Sequence, residues 1–418
     1  AFAFTSLIFT SCMDSFLDRN PYGAIDETTF YTEAEHANLG AMACYAKLQC
    51  LNGHWAFAQL ELGMTGDFSS AGFKDAQPFY GATFNPNESS IVQGVWKRCY
   101  EGIAVCNINI DGISKMGDQI IAAEKRNMYL AETRFIRAFW YLRLVQFYGD
   151  VPLRSASVND PTNSSEVQLA ATSKEEIFKS LIIPDLEFAT ENLPDKWDEA
   201  YTHRATKGTA FAYLSEAYLI MKDYENALKA GLEVEKFDYP GRVFHIEEEN
   251  SKEIIFSVGI AEGIDKYRRE LYFGSKEDLG GDLGHLMRGD TYSADYFYPS
   301  KEFVDFFQVI DGKSIKDNSP YFDASQAWKN RDPRFDGTFF TIMDEVVTTT
   351  GKKMNWRDEW LVNTPTGYDI QKRGVWYGEE SWTQRVDVHL MRLPRVYLHI
   401  AEAYALQANP DFEKCSEY

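Results

Sequence analysis

The chain has 418 residues, enough for one large core or two modest ones. Its 42 Lys and Arg stand against 63 Asp and Glu, a net charge of −21. Such a surface repels phosphate backbones and anionic leaflets, which disfavours nucleic-acid binding and membrane docking through basic patches. Aromatic residues make up 15% of the chain. Core packing is expected to take most of them, leaving some to stack on a flat ligand.

Residues Ala1–Ser11 (AFAFTSLIFTS) carry no charge and are mostly apolar or small. They resemble the apolar region of a secretion signal and are too short to span a bilayer. The run ends in Phe9-Thr10-Ser11-Cys12, which resembles a bacterial lipobox with Phe where Leu is usual. The expectation is a partial lipoprotein signal peptide over 1–11, lipidation of Cys12, and a linker over 12–31. No later stretch has 18 consecutive apolar residues.

A helical stripe of Ala34, Ala37, Ala41, Tyr45 and Leu48 follows, over about 32–49. Residues 63–90 are rich in Gly, Ser, Asn and Pro and read as a long loop carrying Phe68, Phe73, Phe79, Tyr80 and Phe84. VWKRCYEGIAVCNINI (95–110) reads as a helix, and the spacing of Trp96 with Tyr100 and Ile103 assigns Trp96 to the core. AETRFIRAFWYLRLVQFYGDVPL (131–153) reads as a helix that is apolar over most of its circumference, so other helices should surround it. Arg134 and Arg137 lie on its narrow remaining edge and must reach carboxylates, carbonyls or water. Gly149 and Pro152 end it.

Ser173 and Glu176 form a capping box for a helix running to about Asn192, which Pro184 should kink or divide. Residues 205–234 read as helix, turn, helix, with Phe211, Leu214, Ser215, Tyr218, Asp223, Tyr224 and Ala227 at tetratricopeptide-like spacing. IAEAYALQANPDFEKC (400–415) fits the same unit with a turn about two residues longer. KEIIFSVGI (252–260) reads as a short strand. Residues 261–390 hold few sustained periods, apart from a short helix at 300–309, and a further helix follows Pro394.

The six cysteines, at 12, 44, 50, 99, 106 and 415, show no CxxC spacing. Cys44 and Cys50 are placed to pair in an oxidising compartment, but buried free thiols are the expectation, as for Cys99 and Cys106. No HExxH, GxSxG, Walker loop, EF-hand series or dinucleotide fingerprint occurs, so no catalytic, metal or cofactor site is expected. His389 and His399 flank a helix start and read as structural.

Taken in order, these segments resemble the SusD/RagB family of outer-membrane nutrient-binding lipoproteins. The resemblance rests on Cys12, FLDRNPYGAIDETTF (16–30), the helices at 95–110 and 131–153, and ATKGTAFAYLSEAYL. It continues through PSKEFVDFFQVIDGK (299–313), RDPRF (331–335), TGYDIQKRG (366–374) and LMRLPRVYLHIAEAYAL (390–406). It implies a mainly α fold: a tetratricopeptide-like helical scaffold over 32–260, an irregular, loop-rich ligand-binding half over 261–390 with a few short strands, and a second hairpin over 391–418. The family continues past that hairpin with further helices, so this chain is expected to be truncated at its C-terminus.

The resemblance also implies non-catalytic capture of oligosaccharides, or peptides in some branches, at the cell exterior. The ligand would be delivered to a SusC-like TonB-dependent transporter. No tight binding motif transfers from the family, so position and chemistry select the candidates. They are Asp67, Phe73, Tyr80 and Phe84 in the first loop, and His285, Tyr292, Tyr296, Trp328, Trp356, Trp360, Trp376 and Trp382 in the irregular half. A scaffold binding only proteins, and a glycoside hydrolase, are the competing readings. The aromatic-rich half argues against the first, and the second needs paired carboxylates at a set separation.

Overall fold

The computed structural model describes residues 30–53, 68–69, 78, 83–158, 160, 162–198, 203–237, 253–259, 298–340, 345–347, 353–355, 368–370 and 388–418. Helix α1 (Ala34–Leu48) packs on α2 (Ser90–Ser114) and α3 (Ala123–Tyr148). Ser89 caps α2 by accepting from the Val92 N–H. Its inward stripe of Ile91, Val95, Cys99, Ile103 and Cys106 is fully buried. A Cβ at Gly102 would lie 2.3 Å from the Trp140 indole nitrogen, so glycine there lets the buried indole rest on the α2 backbone.

Helix α3 is the centre of the molecule. Phe135, Ile136, Ala138, Phe139, Trp140, Tyr141, Leu142 and Leu144 are all buried, which explains the missing polar face. It stops at Gly149, whose φ of +70° suits a residue without a side chain. The chain then forms β1 (Val151–Pro152), antiparallel to β2 (Ala171–Thr172).

Ser173 caps α4 (Lys174–Ile177) by accepting from the Glu176 N–H. Pro184 does not break this helix, which runs on in helical angles through a local widening ahead of the proline. A π-helical turn at Phe178–Ile182 precedes α5 (Ile183–Asn192), which carries Pro184 in its first turn. Just after the proline, Asp185, 1% exposed, lies against α3. Asp185 accepts from Arg134 Nε at 2.6 Å, and from Arg137 Nε at 2.8 Å and Nη2 at 3.0 Å. Arg137 Nη1 also donates to Asn107 Oδ1 (2.9 Å) on α2 and to the Ser155 carbonyl (2.8 Å). One guanidinium therefore joins α2, α3, α5 and the chain after β1.

A second buried pair anchors the segment before α6 (Lys207–Ile220). Arg204 donates to both oxygens of fully buried Glu132 on α3, at 2.7 and 2.5 Å, and to Asn38 of α1 at 2.9 Å. Its guanidinium lies 4.4 Å from the Trp197 ring. The neighbouring Ala205 N–H donates to Tyr45 Oη at 2.8 Å.

Helices α6 and α7 (Tyr224–Val234) form the expected hairpin, turning through Lys222 at φ +59°. Ser215 Oγ donates to the Ala227 carbonyl at 2.8 Å, drawing the pair together. Strand β3 (Ile254–Val258) pairs antiparallel with β4 (Val388–Arg392). This second strand begins inside the stretch read as irregular, and it places His389 just before a helix start, with His399 just after it. Helix α10 (Leu393–Leu406) follows directly and packs on α7, once α8 (Lys301–Phe306) and α9 (Pro333–Asp336) have intervened in the chain. A Cβ on Gly231 would come within 2.7 Å of Ile400 Cγ1, so the glycine fixes that close approach. The hairpin closes with α11 (Phe412–Cys415).

The two hairpins share a closure. Asp223 N–H donates to the Tyr218 carbonyl, and Asp411 N–H to the Tyr404 carbonyl, both at 2.9 Å, and each Asp caps the helix that follows. The second closure spans two more residues, as expected. Cys44, Cys50, Cys99, Cys106 and Cys415 are free thiols. Burial raises Cys44 well above its ordinary range and pushes Cys50 up to about 12, so neither is an activated thiolate. Among the described residues no helix is long and apolar enough to cross a membrane.

Asp185→Ala strands Arg137 in the interior and is expected to cost about 3–5 kcal/mol. Lys229→Ala, which removes an exposed i,i+4 pair with Glu225, is expected to cost under about 1 kcal/mol. Denaturant unfolding of the two variants checks the contrast, and equal losses would contradict it. A pH effect follows from His399, which is 8% exposed and whose pKa burial lowers to about 4. In the unfolded chain it titrates near 6.5, so its protonation favours unfolding. Stability is unaffected above pH 6.5 and falls by about 1.4 kcal/mol per unit between 6.5 and 4. His399→Phe should flatten that limb in thermal melts across the range.

Candidate functional site

Two of the sequence-selected ligand residues, Phe84 and Trp328, lie among the described residues. Cys12, Asp67, Phe73, Tyr80, His285, Tyr292, Tyr296, Trp356, Trp360, Trp376 and Trp382 lie outside them. Phe84 is half-buried against the main core. Trp328 is half-buried against a separate small core of Val304, Phe335 and Phe339. Phe84 and Trp328 therefore pack on different cores, and for both the structure shows packing.

The small core belongs to residues 298–340. Phe303, Phe307, Phe335 and Phe339 meet edge-to-face at 5.1–5.9 Å. Arg331 of the RDPRF segment, 5% exposed, staples it. Nη2 donates to the Val304 and Phe307 carbonyls at 2.8 and 2.6 Å, Nη1 to the Ala327 carbonyl at 2.8 Å, and the guanidinium sits 4.7 Å from the Phe335 ring. Asp332 caps α9 by accepting from the Arg334 N–H. RDPRF thus works as a fastening, a role invisible without the carbonyls that Arg331 finds.

Two concavities lie elsewhere on the described surface. The first, about 450 Å³, lies between the end of α1, the end of β3 and residues 203–204. Its polar groups are engaged within the protein. Gln49 Nε2 donates to the Gly259 carbonyl at 3.1 Å, His203 Nδ1 lies 3.0 Å from Ser257 Oγ, and Arg204 is held by Glu132. What it offers an occupant is mainly apolar wall.

The second is a groove of about 550 Å³ beside the middle turns of α2. Trp96, Lys97, Tyr100, Glu101 and Ala104 form one wall, at spacings of one, four, five and eight residues. Pro152, Arg154 and residues 167–169 form the other. Tyr100 Oη donates to the Pro152 carbonyl at 2.7 Å, and Arg154 donates to the carbonyls of Glu166 (2.8 Å) and Val167, so the walls are tied together. Burial raises the Tyr100 phenol, which stays protonated as that donor.

Trp96 differs from expectation. It is half-buried: it packs on Tyr148 at 5.1 Å and Tyr100 at 5.0 Å while lining the groove. The helical period that buries Ile103 leaves Trp96 at the margin of the stripe. Period-matching alone read that margin as core. A Trp and a Tyr four apart, with Lys and Glu beside them, was the available signal.

A family model described as "Starch-binding associating with outer membrane" matches residues 15–219, and the SusD family model matches residues 252–413. A SusD-like protein of Bacteroides ovatus is 26% identical over 225 residues, which are 54% of this chain and 39% of that protein. The chain thus spans less than half the length of this relative. A solved SusD-like protein from Bacteroides fragilis superposes with a TM-score of 0.74 at 21% identity, covering 94% of this chain and 78% of that one. A SusD-like carbohydrate binding protein from the same species gives 0.69 at 19% identity, over 90% and 75%. At such identities the likeness is one of fold: mainly helical, with tetratricopeptide-like hairpins. With family models matched along both halves and the fold shared, the chain belongs to the SusD/RagB family.

Proposed function

We propose that this protein binds oligosaccharides or polysaccharide fragments at the outside of the outer membrane. It passes them to a SusC-like TonB-dependent transporter and performs no catalysis itself. The carrying observation is the pair of family-model matches, the first of which is described as starch-binding and outer-membrane-associated. A fold neighbour described as carbohydrate binding supports the ligand class.

In this reading Cys12 carries the lipid anchor, and residues 261–390 form the ligand-facing half held by the helical scaffold. Asp67, Phe73, Tyr80, Phe84, His285, Tyr292, Tyr296, Trp328, Trp356, Trp360, Trp376 and Trp382 supply the stacking and hydrogen-bonding groups. Aromatic faces suit the apolar C–H faces of pyranose rings, and exposed polar groups suit the hydroxyls.

Titration of intrinsic fluorescence with a panel of polysaccharides and peptides tests the ligand class. Saturable quenching by at least one glycan, with no reducing sugar released, is the expected result. A response to peptides alone would replace the glycan with a peptide ligand. The anchor has its own test: palmitate labelling in a lipoprotein-processing host should disappear in Cys12→Ala.

A further inference from the structure

The groove beside α2 differs in charge from the molecule around it. The chain carries a net charge of −21. The groove is lined by two cations, Lys97 and Arg154, and a single carboxylate, Glu101, which Arg98 of the same helix also reaches. That carboxylate is already engaged, 2.9 Å from Arg98 Nη1. Lys97 Nζ is 3.9 Å from Glu101 and its side chain is 73% exposed, so its charge faces solvent with weak compensation.

Arg154 meets only backbone carbonyls, those of Glu166 and Val167, and no carboxylate among the described residues pairs with it. The carboxylate of Glu166 instead accepts from the Asp160 N–H at 3.2 Å and the Asn163 amide at 3.2 Å. A guanidinium has five donors, so Arg154 keeps some for a ligand.

The uncharged groups are also unspent. The indole N–H of Trp96 and the side-chain amide of Gln168 have no hydrogen-bond partner among the described residues. Trp96 and Tyr100 provide ring surface, and Val167, 40% exposed, extends the apolar wall. A space of about 550 Å³ accommodates one or two sugar rings. Ring surface, free amide and indole donors, and uncompensated cations thus meet in one tied-down groove. In the other concavity the polar groups are already satisfied by the protein.

We infer that this groove is a binding site for an acidic saccharide, one bearing carboxylate or sulfate groups. The sugar ring lies against Trp96 and Tyr100, its acidic group meets Lys97 and Arg154, and Gln168 takes a hydroxyl. The inference rests on the glycan-binding reading above and adds to it a location and a charge class.

Calorimetric titration with three probes tests it: a galacturonate oligomer, a sulfated heparin-type oligomer and a neutral laminarin oligomer. At least one acidic probe should bind tenfold or more tighter than the neutral one, and that preference should shrink as salt rises. Which acidic probe wins distinguishes carboxylate from sulfate. Lys97→Gln, at an exposed position, should weaken the acidic probe about five- to tenfold and leave the melting temperature unchanged. Gln168→Ala should weaken it as well. Trp96→Ala should abolish binding. If Trp96→Ala unfolds the protein, the two surface variants still decide. Binding of the neutral probe alone, or acidic binding unmoved by Lys97→Gln and Gln168→Ala, overturns the groove while leaving glycan capture standing. Failure of every saccharide to bind overturns both.

Discussion

Two buried ion pairs on one helix organise this protein. Arg137 and Glu132 sit on α3, five residues apart, and each reaches a carboxylate or guanidinium from a segment far along the chain, Asp185 and Arg204. Burying such groups is costly, and the cost is offset only when every donor finds an acceptor in good geometry. Arg137 meets that demand with Asp185, Asn107 and a carbonyl, and Arg204 meets it with Glu132, Asn38 and an aromatic ring. Each pair tolerates one arrangement of its helices, so the apolar surface of α3, which alone would accept many packings, is held to one.

The scaffold positions the groove through these same contacts. Asn107, which receives Arg137, also donates through its amide to the carbonyls of Arg154 and Ala156 at 2.9 and 3.1 Å. Tyr141 of α3 accepts from the Arg154 N–H at 2.6 Å. The backbone of Arg154 is therefore fixed from the core while its side chain reaches out to the groove wall. The recognition surface does not hang on a free loop. It is carried by backbone that the buried network already holds.

Much of the helical layout was legible in the sequence because period, caps and breakers agreed. Gly149 ended α3, Pro184 marked the π-helical irregularity in the next helix, and Ser215 and Ala227 marked the hairpin. The need of Arg134 and Arg137 for partners was also readable, since an unpaired buried guanidinium is forbidden. Their partner was not, because Asp185 is one acidic residue among 63 Asp and Glu. Glu132 and Arg204 escaped notice for the same reason: a long-range pair leaves no local pattern. Strand β4 was missed because VHLMR is too short to show a period before a helix starts. Most ligand candidates lay on stretches with no period at all, where sequence gives residue type and position but no neighbours. Trp96 shows the opposite error, a helical period read as burial where it marked an edge.

The β3–β4 ladder has a consequence for the length of chain it encloses. Its strands are separated by well over a hundred residues, yet they pair side by side, and the Leu393 N–H continues the contact to the Glu253 carbonyl at 3.0 Å. The two ends of the intervening stretch are thereby held side by side at the edge of the helical framework. Closing a loop of this size costs entropy that grows only logarithmically with length. Length added between the two strands therefore costs the framework little closure entropy. The ladder fixes where that stretch begins and ends, whatever its length.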